Sequence, residues 1–268
     1  MFFINQPKKK LGQNFLIDQN IIKKIVKIGC INKNKTVLEI GSGYGSLTKE
    51  ILNNKPKRVL AIEKDKELFF YLKDYFKNFG GIKVINEDIL EYIKKESFGK
   101  KIIVYGNLPY NISTQILANL ILIKNLNPWY EILIFMFQKE VADRILAKSG
   151  SKNYGRLSIL ANWKLDIKKH FDVSNSCFSP KPNINSTVLS FKPKKKIFFK
   201  IKNPKNLEFV TRTLFSNRRK MINKSFLKLF NNNKNIADDL KINLKKRPEE
   251  LSSETFYRIT QKFEDLTN

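Results

Sequence analysis

Residues 36–46 read "TVLEIGSGYGS": a strand-like aliphatic run, then glycines at positions 41, 43 and 45, then a serine that opens the helical pattern "SLTKEILNN". Glycine permits a tight turn and close approach of the backbone to a ligand, so strand, glycine-rich turn and helix together suggest the opening of a wound α/β sheet. The alternation continues downstream. "RVLAIE" is strand-like, "KDKELFFYLKDYFKNF" carries apolar positions at helical spacing, and "IKVIN", "DILEYIKK", "KIIVYG", "ISTQILANLILI", "YEILIFMF" and "QKEVADRILA" follow in turn. Strands alternating with helices imply βαβ units and a mostly parallel sheet with helices on both faces. Right-handed crossovers place the strand C-terminal ends along one edge, and ligands bind there.

Before the first strand lies "DQNIIKKIVKIG", with Asp18 as N-cap and Gly29 as stop. Near the other end, "SPKPNINSTVLSFKPKKKIFFK" holds three prolines, a strand-like "STVLSF" and a basic run. The expected division is a sheet domain with an N-terminal helical extension over 1–198 and a small, wholly helical domain over 199–268. No internal repeat is visible.

The 268 residues carry a formal charge of +27, and Lys outnumbers Arg 43 to 8. A field of this size attracts polyanions, so nucleic acid is the leading partner class, and it disfavours tight self-association; a monomer is expected. Cys30 and Cys177 are far apart and have no partner spacing, so neither a disulfide framework nor a zinc site is indicated, and a reducing cytoplasm fits. The opening "MFFINQPKKKLGQNF" lacks the form of a signal peptide. The longest apolar runs, "ILANLILI" and "ILIFMF", are too short to span a membrane. One histidine, His170, removes most His-based catalysis, and no metal is expected.

The glycine spacing is not the dinucleotide fingerprint, since the position three after Gly43 is Ser46. Acids sharpen the choice of ligand. Glu63 ends the second strand, where a carboxylate can accept from both ribose hydroxyls, and Asp88 follows the third, where it can accept from an adenine amine. Glu39 sits inside the first motif, near the place for an ammonium, and Gly41 and Gly43 supply the close backbone. So many carboxylates repel a pyrophosphate. S-adenosylmethionine, with a sulfonium, an ammonium and no phosphate, fits them.

On the same edge stands "NLPY", Asn107 to Tyr110, with no His, Cys or carboxylate among its residues. An exocyclic amine such as adenine N6 is a poor nucleophile because its lone pair is delocalised into the ring. Acceptors on its two hydrogens, the Asn107 side-chain oxygen and the Leu108 carbonyl, favour a pyramidal nitrogen aimed at the methyl group. Pro109 fixes the turn and Tyr110 stacks on the base. Positioning and electrostatics replace a base.

"LGQNFL", "LEIGSG", "YGNLPYNIST", "FQKEVADR", "YGRLS", "FSPKPNINSTV" and "FSNRRK" occur in this order. In that combination the chain resembles the bacterial small-subunit (16S) ribosomal RNA adenine dimethyltransferase family from near residue 8 to the end. The resemblance implies a class I S-adenosylmethionine-dependent methyltransferase, Rossmann-like with a seven-stranded sheet. It implies transfer of two methyl groups to N6 of each of two adjacent adenosines in the 3′-terminal hairpin of that RNA, and a late role in small-subunit assembly. Carried over, cofactor contacts fall on Asn14 and Leu16, with Gln13 beside them, and on Gly41, Glu63, Asp88 and Asn107. Phe178 of "CFSPKP" is expected to cover the other face of the target base, a sandwich with Tyr110 that suits an extruded nucleotide. Leu11 and the loop "SGYGS" depart from the common pattern without touching a group of assigned chemistry.

From Lys192 to Lys228 there are 13 Lys or Arg against one acid, Glu208. Where Lys is the default cation, a retained Arg suggests a need for its planar fork. Arg218 and Arg219, with Lys220, are expected to contact RNA phosphates, whereas Arg144 and Arg156 suit internal ion pairs equally well. Competing functions are a large-subunit ribosomal RNA adenine methyltransferase of the macrolide-resistance type and, from another class, an assembly factor that acts by binding alone. An N6-adenine DNA methyltransferase fits less well, because such enzymes commonly show Asp-Pro-Pro-Tyr or Asn-Pro-Pro-Tyr. A dehydrogenase conflicts with the glycine spacing and the carboxylates.

Overall fold

The computed structural model describes residues 13–95, 101–125 and 127–267; Leu11 lies outside them. Packing separates two compact units. One comprises the chain to Leu117 with Asn127–Ala142 and Lys168–Pro193, and the other Ala118–Leu126, Asp143–Ile167 and Lys194–Asn268. The sequence pattern suggests a single cut at 198/199, whereas packing places the last boundary at 193/194 and adds two earlier segments to the second unit, one of them carrying the helix at Arg156–Lys164 that packs on its later helices.

The first elements are β1 (Phe15–Leu16), α1 (Gln19–Ile28), β2 (Thr36–Ile40), α2 (Ser46–Asn53), β3 (Arg58–Glu63) and α3 (Lys66–Tyr75). Next come β4 (Ile82–Asn86), α4 (Ile89–Lys95), β5 (Ile102–Asn107), α5 (Ser113–Ile121), β6 (Tyr130–Gln138), α6 (Lys139–Leu146) and α7 (Arg156–Lys164). The sheet is completed by β7 (Leu165–Val173) and β9 (Ser186–Pro193), with β8 (Phe178–Ser179) lying between them in the chain. Seven strands run in the order β4-β3-β2-β5-β6-β9-β7. The five from β4 to β6 are mutually parallel, and β9 runs antiparallel to β6.

Central strands covered on both faces should be apolar along their length. Val37, Leu38 and Ile40 of β2 and Ile103, Val104 and Tyr105 of β5 are buried accordingly. Each such side chain contributes about 1.5–3 kcal/mol by leaving water. Register sets the working edge: Ile40 lies opposite Ile62 and Gly106, and Glu63 lies opposite Asn86. The turns after β2, β3, β4 and β5 therefore emerge side by side.

Helix α1 is held against this sheet by its Ile22, Ile25 and Val26 and capped by Asp18, which accepts from the Asn20 and Ile21 N–H groups at 2.9 and 3.0 Å. The Tyr105 hydroxyl donates to the Val26 carbonyl at 2.7 Å. Gly29 ends the helix with an ordinary negative φ, but a Cβ there would stand 2.1 Å from the Tyr105 oxygen. It is glycine for lack of room.

In the second unit, α7 is followed by α8 (Pro204–Leu214), α9 (Asn223–Leu229), α10 (Asn235–Asp239) and α11 (Ser253–Thr267), in keeping with the helical pattern. Its core holds Leu207, Val210, Phe226, Phe256 and Ile259, and the Tyr257 hydroxyl donates to the Ile159 carbonyl at 2.8 Å. The buried Glu264 carboxylate accepts from the Lys202 and Asn203 N–H groups, both at 2.8 Å, and from Asn206 Nδ2 at 3.0 Å, which fixes the start of α8. Arg156 pairs with Glu208 at 3.7 Å, the internal role left open for it above. No described helix is long and apolar enough to cross a membrane.

Candidate active site

At the strand C-terminal edge the first unit holds a cleft of about 200 Å³. Its apolar walls include Ile40, Ile62, Leu68, Ile89 and Ile116, and its polar rim comes from strand ends and the turns after them. Gln13, Asn14, Gly41, Gly43, Glu63, Asp88, Asn107, Leu108, Pro109 and Tyr110 all line it. These residues span nearly one hundred positions of sequence and meet because four parallel strands end together.

The glycine turn has positive φ at Gly41 and Gly43, +71° and +56°. A Cβ at Gly43 would also lie 2.9 Å from the Phe15 ring, so both conformation and space require glycine. The Gly43 N–H donates to Glu63 Oε2 and the Asp65 N–H to Glu63 Oε1, both at 2.9 Å. Burial pushes the Glu63 carboxyl above its ordinary pKa, against the lowering effect of these two donors. Asp65 caps α3 through the Glu67 N–H at 2.9 Å and accepts from Gln13 Nε2 at 3.3 Å, tying the segment before β1 to the cleft.

Asp88 accepts from Lys64 Nζ at 2.8 Å and from the Leu90 N–H at 2.9 Å. Partial burial raises its pKa, but these bonds and the Lys64 charge outweigh that, and the net shift is downward. Lys64 is the one cation among the described lining residues, and Asp88 already holds it. Apolar walls, carboxylates at strand ends and no free cation suit a nucleoside and exclude a tightly bound pyrophosphate. Among the described residues no cluster of His, Cys, Asp or Glu has the arrangement of a metal site.

Asn107 closes β5, and its Nδ2 donates to the Asn14 carbonyl at 2.9 Å. That bond orients the amide and leaves Oδ1 as an unused acceptor at the cleft. The Leu108 side chain is buried and sits against Gly106, where an added Cβ would lie 2.4 Å from Leu108 Cδ2. The side chain thus anchors the turn, and what Leu108 can present to a ligand is backbone. The Pro109 carbonyl accepts from the Ile112 N–H at 3.1 Å, which starts α5 directly after the turn. The Tyr110 hydroxyl is bonded to Ser186 Oγ at 2.8 Å, and burial raises its pKa, so it remains a neutral phenol.

Three residues expected at the site are not among those lining the cleft. Leu16 lies opposite Phe178 in the antiparallel pairing of β1 with β8, and both side chains belong to the core cluster with Ile22, Ile25 and Val188. Phe178 is 3% exposed and offers no free ring face to a base in this arrangement. Glu39 is 1% exposed and accepts from Thr48 Oγ1 at 2.5 Å. Conversely, sequence reasoning passed over Phe15, Ile62, Lys64, Leu68, Glu87 and Asn111, which line the cleft. All but Leu68 adjoin residues already singled out or lie within three positions of them, which was the available signal.

In the second unit, Arg219 and Lys220 are exposed. Arg218 is committed within its own unit: Nε donates to Glu249 Oε2 at 2.8 Å, and Nη2 donates to the Lys152 carbonyl. Two of its five N–H donors are thus engaged within the unit, and the remaining three, on a side chain 41% exposed, are left for a phosphate.

Fold and cleft together define a Rossmann-like class I methyltransferase. Residues 4–265 match the family model described as "Ribosomal RNA adenine dimethylase". The chain belongs to the ribosomal RNA adenine dimethylase family and is an rRNA methyltransferase. It is 49% identical over 261 residues to the "Ribosomal RNA small subunit methyltransferase A" of Pelagibacter ubique, covering 97% of this chain and 98% of that one. It is 39% identical over 267 residues to the protein of the same name from a Wolbachia of Drosophila simulans, with 98% and 96% covered. Among solved structures, a dimethyladenosine transferase from Plasmodium falciparum superposes with a TM-score of 0.75 at 28% identity, covering 94% of this chain and 98% of that one. The 23S rRNA methyltransferase ErmE shares the fold, with a TM-score of 0.67 at 20% identity over 93% and 99%.

Proposed function

We propose that this chain transfers methyl groups from S-adenosylmethionine to N6 of two adjacent adenosines in the 3′-terminal hairpin of 16S rRNA, yielding N6,N6-dimethyladenosine late in small-subunit assembly. It acts as a cytoplasmic monomer on the small subunit or its precursor. The observation that carries this is the Asn107–Asn14 hydrogen bond, which leaves an amide oxygen, and no base, at the reacting end of the cleft. The names of the relatives supply the small-subunit target.

When bound, S-adenosylmethionine supplies a methyl group made electrophilic by its sulfonium. Glu63 accepts from the ribose hydroxyls, Asp88 from the adenine amine, and the apolar walls take the faces of its base. Gly41 and Gly43 let the backbone close on the amino-acid tail, with Gln13 and Asn14 alongside. Asn107 Oδ1 and the Leu108 carbonyl accept from the two N6 hydrogens of the target, and Tyr110, steadied by Ser186, stacks on its ring. The nitrogen loses a proton to water once it has become cationic, so no residue acts as base. Leu16, Glu39 and Phe178 act through packing, behind the groups that touch ligand. Arg219 and Lys220 contact RNA phosphates, and Arg218 holds the neighbouring loop.

The test is transfer of labelled methyl from S-adenosylmethionine to undermethylated small subunits, to large subunits and to duplex DNA, followed by mass spectrometry of the nucleosides. Dimethyladenosine at adjacent positions of small-subunit RNA is expected. Label confined to large subunits, or no label with tight subunit binding retained, would overturn the proposal in favour of a different target or of a binding-only factor.

A further inference from the structure

In the second unit a groove of about 590 Å³ lies between the loop after α6 and the basic segment before α8. Tyr154, Trp163 and Tyr257 form its floor and are almost wholly buried. Phe198, at its rim, is 75% exposed, the highest value among the exposed large apolar side chains described. Lys196 Nζ stands 5.0 Å over the Phe198 ring. Lys148 and Lys194 also line the groove, against one acid, Glu254. Lys194 Nζ is engaged by the Asn162 carbonyl at 2.6 Å, whereas Lys148 and Lys196 make no ion pair among the described residues.

An exposed aromatic face flanked by unpaired cations is the combination that holds unpaired nucleotides, the base stacking and the cations taking the phosphates. A second observation joins the groove to the basic motif. The loop carrying Lys148 is pinned just beyond that residue: the Gly150 N–H donates to the Glu249 carbonyl at 2.8 Å, Glu249 pairs with Arg218, and Arg218 also reaches the Lys152 carbonyl. One short loop therefore lines the groove through Lys148 and Ser149 and, a few residues on, bonds to Arg218, next in sequence to the exposed Arg219 and Lys220. Arg218 is a positioning residue for this loop.

We propose that the groove is a further RNA subsite, taking one unpaired nucleotide with its base on Phe198 and its phosphates on Lys148 and Lys196. The identity of that RNA as the methylation substrate rests on the function proposed above. Full-length wild type, Phe198→Ala, Phe198→Tyr and the Lys148→Ala/Lys196→Ala double variant are compared in two assays. One is fluorescence anisotropy with a labelled oligouridylate, and the other is methyl transfer to undermethylated small subunits. Phe198→Ala should weaken oligouridylate binding and raise KM for subunits, each by on the order of ten-fold, with kcat unchanged and Phe198→Tyr close to wild type. The double variant should lower the salt dependence of oligouridylate binding by about one to two phosphate contacts.

Phe198→Ala values within about two-fold of wild type in both assays would overturn the subsite, since loss of one stacked base exceeds that. A photoreactive phenylalanine at position 198 that cross-links to a ribosomal protein instead of RNA would overturn it in favour of a protein partner. If wild type methylates no small subunit while Phe198→Ala still loses oligouridylate affinity, the subsite stands and the proposed target fails.

Discussion

Glu39 and Glu63 sit on adjacent strands, yet their surroundings give them different chemistry. Glu63 lines the cleft with both oxygens engaged by backbone donors, while Glu39 faces Thr48 in the interior. Burial pushes the Glu39 carboxyl up to about 8, with the Thr48 bond opposing. A carboxyl whose folded pKa is raised contributes stability that is complete below its unfolded value, near 4.5, and is lost as pH rises through about 8. Glu39→Gln keeps the shape and removes the titration. Thermal melts from about pH 5 to 9 should show wild type losing stability relative to the variant, with about 1.4 kcal/mol for each unit of pKa difference as the scale. Melting curves that shift in parallel across that range would show that Glu39 carries no buried proton. In the sequence Glu39, Glu63 and Asp88 look alike, as acids near strand ends. In the paired register Glu39 lies opposite Ala61, two residues deeper than Glu63, so it shares that face of the sheet but sits behind the strand ends, against Thr48.

At the scale of elements, the strands and helices from Thr36 to Leu146 were legible because hydrophobic period and turn chemistry agree along that stretch, whereas α7 and β7 were not read. What was hidden depends on long-range pairing. The two-residue strands β1 and β8 carry no periodic signal, and only their pairing shows that Leu16 and Phe178 belong to the core. Gly29 was legible as a helix stop but not for its reason, the Tyr105 hydroxyl that crosses from β5 to bond the Val26 carbonyl. Gly29→Ala should displace that hydroxyl and cost about 1–3 kcal/mol, the range for over-packing a filled site. Chemical denaturation measures it. In a Tyr105→Phe background the same substitution should cost less, because the atom nearest the new Cβ is gone, although ring carbons and Ile103 remain close. An equal cost in both backgrounds would remove the hydroxyl from the explanation.

For the whole molecule, the parallel order of β4, β3, β2 and β5 does most to make a site, since it gathers Glu63, Asp88 and Asn107 from separate turns onto one edge. That edge was predictable from alternation alone. The chain's +27 charge was visible too, but not that two donors of Arg218 are engaged inside its own unit while Phe198 and Lys196 stand exposed. Side-chain pairing across a fold leaves no periodic trace in sequence. The central claim is that aligned acceptors, without a base, carry the methyl transfer. It is tested most directly by single-turnover transfer from saturating S-adenosylmethionine to undermethylated small subunits bound by wild type and by Asn107→Ala. The chemical step should fall by about 10²–10³-fold, the usual cost of removing one preorganised group at the reacting atom, with subunit affinity unchanged. An unaltered rate in the Asn107→Ala complex would contradict the account.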